Sequence, residues 1–250
     1  MFAKLRQARL CQLKFGVILA TALVGALLVR PTAAGVSLTG SRIVFQANQG
    51  DKTLQFQNSG EVPNMVDIRI SAQEEPDAEA DEAQSTFVVM PQIFRIDSNK
   101  GQIVRLILTD ASSLPTDRES VFYLRFSQLP AQRVSTQNEN QIIFMLTSRV
   151  KLFYRPAGLP GSGGNTGDKL RVSWVDGGLR VENPTPFYVS SIGTSLTQGD
   201  QVQEVRQVEM IAPYSTVVWP AQRLGSSNAV FRIAVMNDYG ASAEFEHILP

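Results

Sequence analysis

QIIFMLTSRVKLFYRP, residues 141–156, is a run of mostly apolar and basic side chains, closed by a proline, that reads as one strand. Sixteen residues at about 3.3 Å each span roughly 50 Å, about three times a common strand. Part of it is therefore expected to run past its sheet neighbours, where something else can pair with it. Its alternation leaves the faces open. Ile142, Phe144 and Leu146 form one apolar set and Ile143 and Met145 another. From pattern alone, a strand buried on both faces is the simpler reading.

Outward from this stretch, short runs rich in Val, Ile, Phe and Thr alternate with polar turn clusters, and no window past the N-terminal segment keeps a helical period for long. The pattern predicts an all-β chain. Strands are expected near 36–46, 52–58, 64–71, 86–89, 102–108, 121–127 and 141–154, a count that suits an immunoglobulin-like sandwich. EEPDAEADEAQ, Glu74–Gln84, is expected to be a solvated acidic loop between two of them.

After Pro156, AGLPGSGGNTGDK has the glycine, proline and serine punctuation of a linker, so the domain boundary is placed at about 157–168. Strands near 170–175, 179–183, 187–196, 202–210, 215–219, 229–236 and 242–248 predict a second, smaller β domain. The expected domains are thus 35–156 and 157–250, with a cleft between them.

Residues 1–34 differ from the rest. Lys4, Arg6, Arg9 and Lys14 precede an apolar run from Phe15 to Val29, and Thr32 and Ala34 are small residues suited to a cleavage point. A run of about 15 residues falls short of the roughly 20 that span a bilayer, so a secretory signal peptide is expected, with the mature chain starting at Gly35 and no stable membrane insertion afterwards. Its removal takes five basic residues, those four and Arg30, and no acidic ones, from totals of 23 and 23. The mature chain then has 18 basic against 23 acidic residues. That mild acidity argues against a nucleic-acid partner. The single cysteine, Cys11, lies in the signal, so the exported chain has no thiol for a disulfide.

The chemistry available is narrow. With His247 as the only histidine and no cysteine in the mature chain, no metal site, cofactor or catalytic group is expected, and His247 reads as a strand-end residue. A serine triad would have to be built on His247, without a G-x-S-x-G elbow to accompany it. Trp174 and Trp219 lie inside strand patterns and read as core.

Six motifs remain: GVSLTGSRIVF at 35–45, LPTDRESVFYL at 114–124, SRVKLFYRP at 148–156, NPTPFYVSS at 183–191, MIAPYSTVVWP at 210–220 and NDYG at 237–240. Taken in this order, KLFYRP being the most specific, they make the chain resemble the periplasmic pilus (fimbrial) chaperones of the chaperone–usher pathway. The resemblance covers most of residues 35–250. It implies two immunoglobulin-like sandwiches in a boomerang, and periplasmic binding of pilus subunits that are later delivered to an outer-membrane usher.

Each such subunit is a sandwich lacking a strand, and the chaperone's long strand fills the gap by β-strand addition. By register with KLFYRP, the subunit-facing residues would be Ile142, Phe144 and Leu146, with Asn140 as a candidate fourth. Arg42 and Lys151 match the pair that anchors the subunit's C-terminal carboxylate, where charge-assisted bonds fix the register of the added strand. Glu119, Arg155 and Asp238 match an interdomain salt bridge that sets the cleft.

The chain departs from the family pattern at Gln92, where many members have a second proline after Pro91, and in its acidic stretch. The short polar segment between Leu129 and Ile142 suggests the short-loop group that serves rod-like pili. Two other classes share the export signal and the β content. A pilus subunit or adhesin would have one incomplete sandwich with an N-terminal donor extension. A secreted hydrolase or carbohydrate-binding module would show clustered carboxylates or exposed tryptophans.

Overall fold

A computed structural model describes residues 35–74, 86–131, 142, 144–205, 209–223, 225 and 228–250. The expected signal peptide at 1–34, the acidic stretch beyond Glu74, Asn140 and Ile143 lie outside the described residues.

Among the described residues, nine strands build the first sandwich: β1 (Val36–Leu38), β2 (Arg42–Gln46), β3 (Asp51–Asn58), β4 (Asn64–Ser71), β5 (Phe87–Met90), β6 (Ile93–Ile96), β7 (Gly101–Leu108), β8 (Ser120–Pro130) and β9 (Leu146–Arg155). One sheet has the order β1-β3-β7-β5 and the other β2-β9-β8-β4-β6. Eight more form the second sandwich: β10 (Arg171–Val175), β11 (Gly178–Glu182), β12 (Val189–Gln198), β13 (Gln201–Glu204), β14 (Glu209–Ile211), β15 (Thr216–Pro220), β16 (Ala229–Met236) and β17 (Ser242–Leu249). Its sheets run β10-β11-β15 and β13-β12-β16-β17, with β14 beside β12. The all-β, two-sandwich expectation holds.

Two expected strands are divided, and a third is followed by a strand that the pattern did not predict, for reasons visible locally. The run 36–46 is two strands in opposite sheets, because the chain crosses over at Gly40, whose φ of 96° a side chain would resist. The run at 86–89 continues past Pro91 into β6, which joins the other sheet. The run 202–210 gives β13 and β14, both hydrogen-bonded to β12. The stretch 157–168, read as a linker, contains a 3-10 turn (Gly163–Asn165) leading into a one-turn helix, α1 (Thr166–Lys169).

Two separate clusters of buried side chains fill the sandwiches. In the first, Phe45 meets Phe87 at 5.2 Å, Phe87 meets Phe122 at 5.3 Å, and Phe56 meets Phe126 at 5.2 Å, all edge to face. Each such side chain contributes about 1.5–3 kcal/mol by burial, and edge-to-face pairing adds to that. A chain without a disulfide depends on this core. Trp219 is buried in the second, whereas Trp174 is only half-buried and carries the Arg223 guanidinium 5.1 Å from its ring. His247, on β17, donates from Nε2 to the Gly167 carbonyl at 3.0 Å.

Candidate functional site

β9 is flanked by β8, antiparallel, along Leu146–Tyr154, and by β2, parallel, only from Lys151 to Arg155. Among the described residues, the β2 side of Leu146–Val150 therefore has no partner strand. The register across the sheet places Ser71, Tyr123, Lys151 and Arg42 in one row.

Period-two alternation separates two faces of β9. Leu152 and Tyr154 belong to the core of the first sandwich, with Val150 packed against it. Lys151, Phe153 and Arg155 point the other way, towards the second sandwich. Phe153, 3% exposed, meets the Tyr188 ring at 5.7 Å. One strand face thus presents, in order, a cation, an apolar wedge and a second cation.

The first of these cations is unpaired. Among the described residues, the Lys151 ammonium has no hydrogen bond or ion pair, and burial lowers its pKa, Glu74 opposing this and Arg42 adding to it. Beside it, Arg42 donates from Nη1 to the Met236 carbonyl at 2.9 Å and lies 5.7 Å from the Phe153 ring. Its Nε is buried without a partner. Burial also lowers the Arg42 pKa, against the fields of Asp238 and Glu119. Two adjacent half-buried cations with unfilled donors disfavour one another and favour an anion.

The second cation is fully engaged. Arg155 donates from Nε to Glu119 at 2.7 Å and from both terminal nitrogens to Asp238 at 2.7 and 2.9 Å, with Phe187 stacked at 5.0 Å. Glu119, 3% exposed, also accepts from the Tyr188 N–H at 2.8 Å. Burial pushes its carboxyl above the ordinary range while Arg155 and that N–H pull it back. Arg155 keeps a raised pKa: burial works against its charge, but the bonds to Asp238 and Glu119 outweigh it. At Gly163 a side chain would come within 2.6 Å of Arg155 Nη2, so this glycine lets the segment close over the network. Its place in a punctuated segment masked that role.

Arg155→Ala would strand the Glu119 charge in the interface, a loss on the order of 3–5 kcal/mol. A clear fall in the urea midpoint is expected, and an unchanged midpoint would show that the network contributes nothing.

Ahead of β9 and at its first residue, apolar side chains stand in solvent: Ile142 is 84% exposed, Phe144 78%, Met145 66% and Leu146 55%. Pairing with β8 stops at Leu146, opposite Gln128, so the expected strand is observed only in its second part. Within β9, Leu146 shares the parity of Val150 and Leu152, while Ile142 and Phe144 precede the strand. Pattern alone had left that parity open.

A family model described as the pili and flagellar-assembly chaperone, PapD N-terminal domain, matches residues 35–160, and one for the pili assembly chaperone PapD, C-terminal domain, matches 165–247. The probable fimbrial chaperone YadV of Escherichia coli K12 is 32% identical over 221 residues, 84% of this chain and 88% of that protein. The chaperone protein HifB of Haemophilus influenzae is 31% identical, over 86% of this chain and 88% of its own length. The crystal structure of the YadV chaperone superposes with a TM-score of 0.72 at 29% identity, covering 86% of this chain and all of that one.

Proposed function

The chain belongs to the PapD-type pilus-assembly chaperones, and from that premise we propose that it holds pilus subunits through β9, its preceding apolar residues and the Arg42–Lys151 pair. The family acts as chaperones, with pilus subunits and an outer-membrane usher as partners. No catalytic role is assigned.

The observation that carries the proposal is the one-sided edge of Leu146–Val150, which ends at Lys151 and Arg42, neither of which has a carboxylate partner among the described residues. β2 runs parallel to β9 and begins at Arg42. A strand added in line with β2, beside Leu146–Val150, would also run parallel and would bring its C-terminus to Arg42 and Lys151. A terminal carboxylate there accepts charge-assisted bonds from both cations and fixes the register. Ile142, Phe144 and Leu146, carrying the core-facing parity past the end of the core, would fill the subunit's open groove, with Asn140 as a fourth. Glu119, Arg155 and Asp238 would hold the sandwiches, divided near 157–168, at the angle this geometry requires.

The apolar run of residues 15–29 supports export to the periplasm. Co-expression with a pilus subunit should therefore give a periplasmic one-to-one complex in which this chain has the mass of residues 35–250. A species retaining residues 1–34 in the membrane fraction would contradict export. A subunit equally abundant without the chain would contradict the chaperone role assigned to this surface.

A further inference from the structure

Tyr214 has a φ of 53°, a left-handed conformation that among the described non-glycine residues only Asn99 shares. For a bulky aromatic this is a strained geometry, which persists where surrounding contacts over-determine it. Here the contacts come from both sandwiches. On the second, fully buried Asn183 donates to the Phe187 carbonyl at 2.8 Å and the Ala212 carbonyl at 2.9 Å, tying the NPTPF loop to the Tyr214 turn. The Tyr214 N–H donates to the Thr185 carbonyl at 3.2 Å. On the first, Arg118 lies 5.1 Å from the Tyr214 ring, and the Tyr214 hydroxyl donates to the Asp117 carbonyl at 3.4 Å. Asp117 in turn fixes the Arg118 guanidinium through bonds of 3.0 and 2.8 Å.

The next residue, Glu119, is the buried carboxylate of the Arg155 network, and its N–H donates to the Pro186 carbonyl at 2.9 Å. The loop at 117–119 thus grips the second sandwich twice, once through Glu119 and once through the Arg118–Tyr214 pair.

We propose that Tyr214 is a positioning residue: its strained backbone aims the ring at Arg118, and the pair is a second strut that fixes the angle between the sandwiches. The Met236 carbonyl, on the second sandwich, is thereby held against Arg42 and the cationic pair kept in place. The effect on subunit binding rests on the carboxylate-anchor reading; the effect on the interdomain angle does not.

The mature chain has no cysteine, so Lys100→Cys and Ser173→Cys, exposed positions on the two sandwiches, can carry a unique pair of spin labels. The parent should give a narrow distance distribution. Tyr214→Gly accepts the positive φ and deletes the ring, so it should broaden the distribution while leaving the urea midpoint unchanged or raised. Arg118→Gln should broaden it too, and Tyr214→Phe should keep it narrow. Affinity for the subunit recovered by co-expression should fall about two- to fivefold in the glycine variant, the scale of one exposed cation–π contact. A narrow distribution in both Tyr214→Gly and Arg118→Gln would overturn the strut. A broadened distribution with undiminished affinity would overturn its link to the anchor and leave the anchor reading intact.

Discussion

Lys151→Ala is expected to fold as the parent does and to hold a subunit ten- to more than a hundredfold more weakly, the equivalent of roughly 1.5–3 kcal/mol for a lost hydrogen bond to a charged partner. The fold should tolerate the change because no described group pairs with the ammonium, which burial already disfavours. Removing it relieves a desolvation cost, so the melting temperature should stay level or rise. Arg42→Ala should weaken binding similarly. It also gives up the bond to the Met236 carbonyl, so its melting temperature should fall slightly. With both cations on one carboxylate, as proposed, the double variant should lose less than the sum of the singles. Isothermal titration of the subunit with all four proteins measures this. Strict additivity would mark the two as independent surface charges.

Phe144→Glu should abolish copurification of a subunit and leave the chaperone's own melting temperature nearly unchanged. The ring is 78% exposed, so the fold does not depend on it, and exposed substitutions typically fall within about 0.5 kcal/mol. In a subunit groove the same change forfeits about 1.5–3 kcal/mol of burial and forces a carboxylate into an apolar site, at several kcal/mol more. Met145→Glu, on the opposite parity, should be much milder. Copurification and thermal melts of the two variants decide between the faces. A large drop in melting temperature for Phe144→Glu would place it in the chaperone's own core, and a reversed order of the two binding effects would exchange the parities.

Much of this was legible in the sequence because it is local. Alternating apolar runs and turn clusters marked most strands of both sandwiches, β6 excepted, and the motifs around Arg42, Lys151, Glu119, Arg155 and Asp238 marked side chains that the fold does bring together in two groups. What pattern could not supply depends on partners distant in the chain. Ile142, Phe144 and Met145 are apolar at both parities, so the pattern assigns them no face, and they stand exposed ahead of β9. The crossovers at Gly40 and after Pro91 exchange one sheet for the other without interrupting the apolar pattern, which is why 36–46 read as a single strand. The Met236 carbonyl and Gly163 carry no side-chain signal at all, and Tyr214 resembled any turn residue until its φ and its contact with Arg118 were seen.

In the proposed complex a subunit strand runs parallel to β9 and ends with its carboxylate on Arg42 and Lys151. The most direct measurement is binding of a subunit carrying one additional C-terminal residue, which moves the carboxylate about 3.3 Å past both cations or forces the whole strand out of register. The extended subunit should bind the parent about as weakly as the unextended subunit binds Lys151→Ala, and Lys151→Ala should hardly distinguish the two subunits. Undiminished binding of the extended subunit to the parent would contradict the proposed complex.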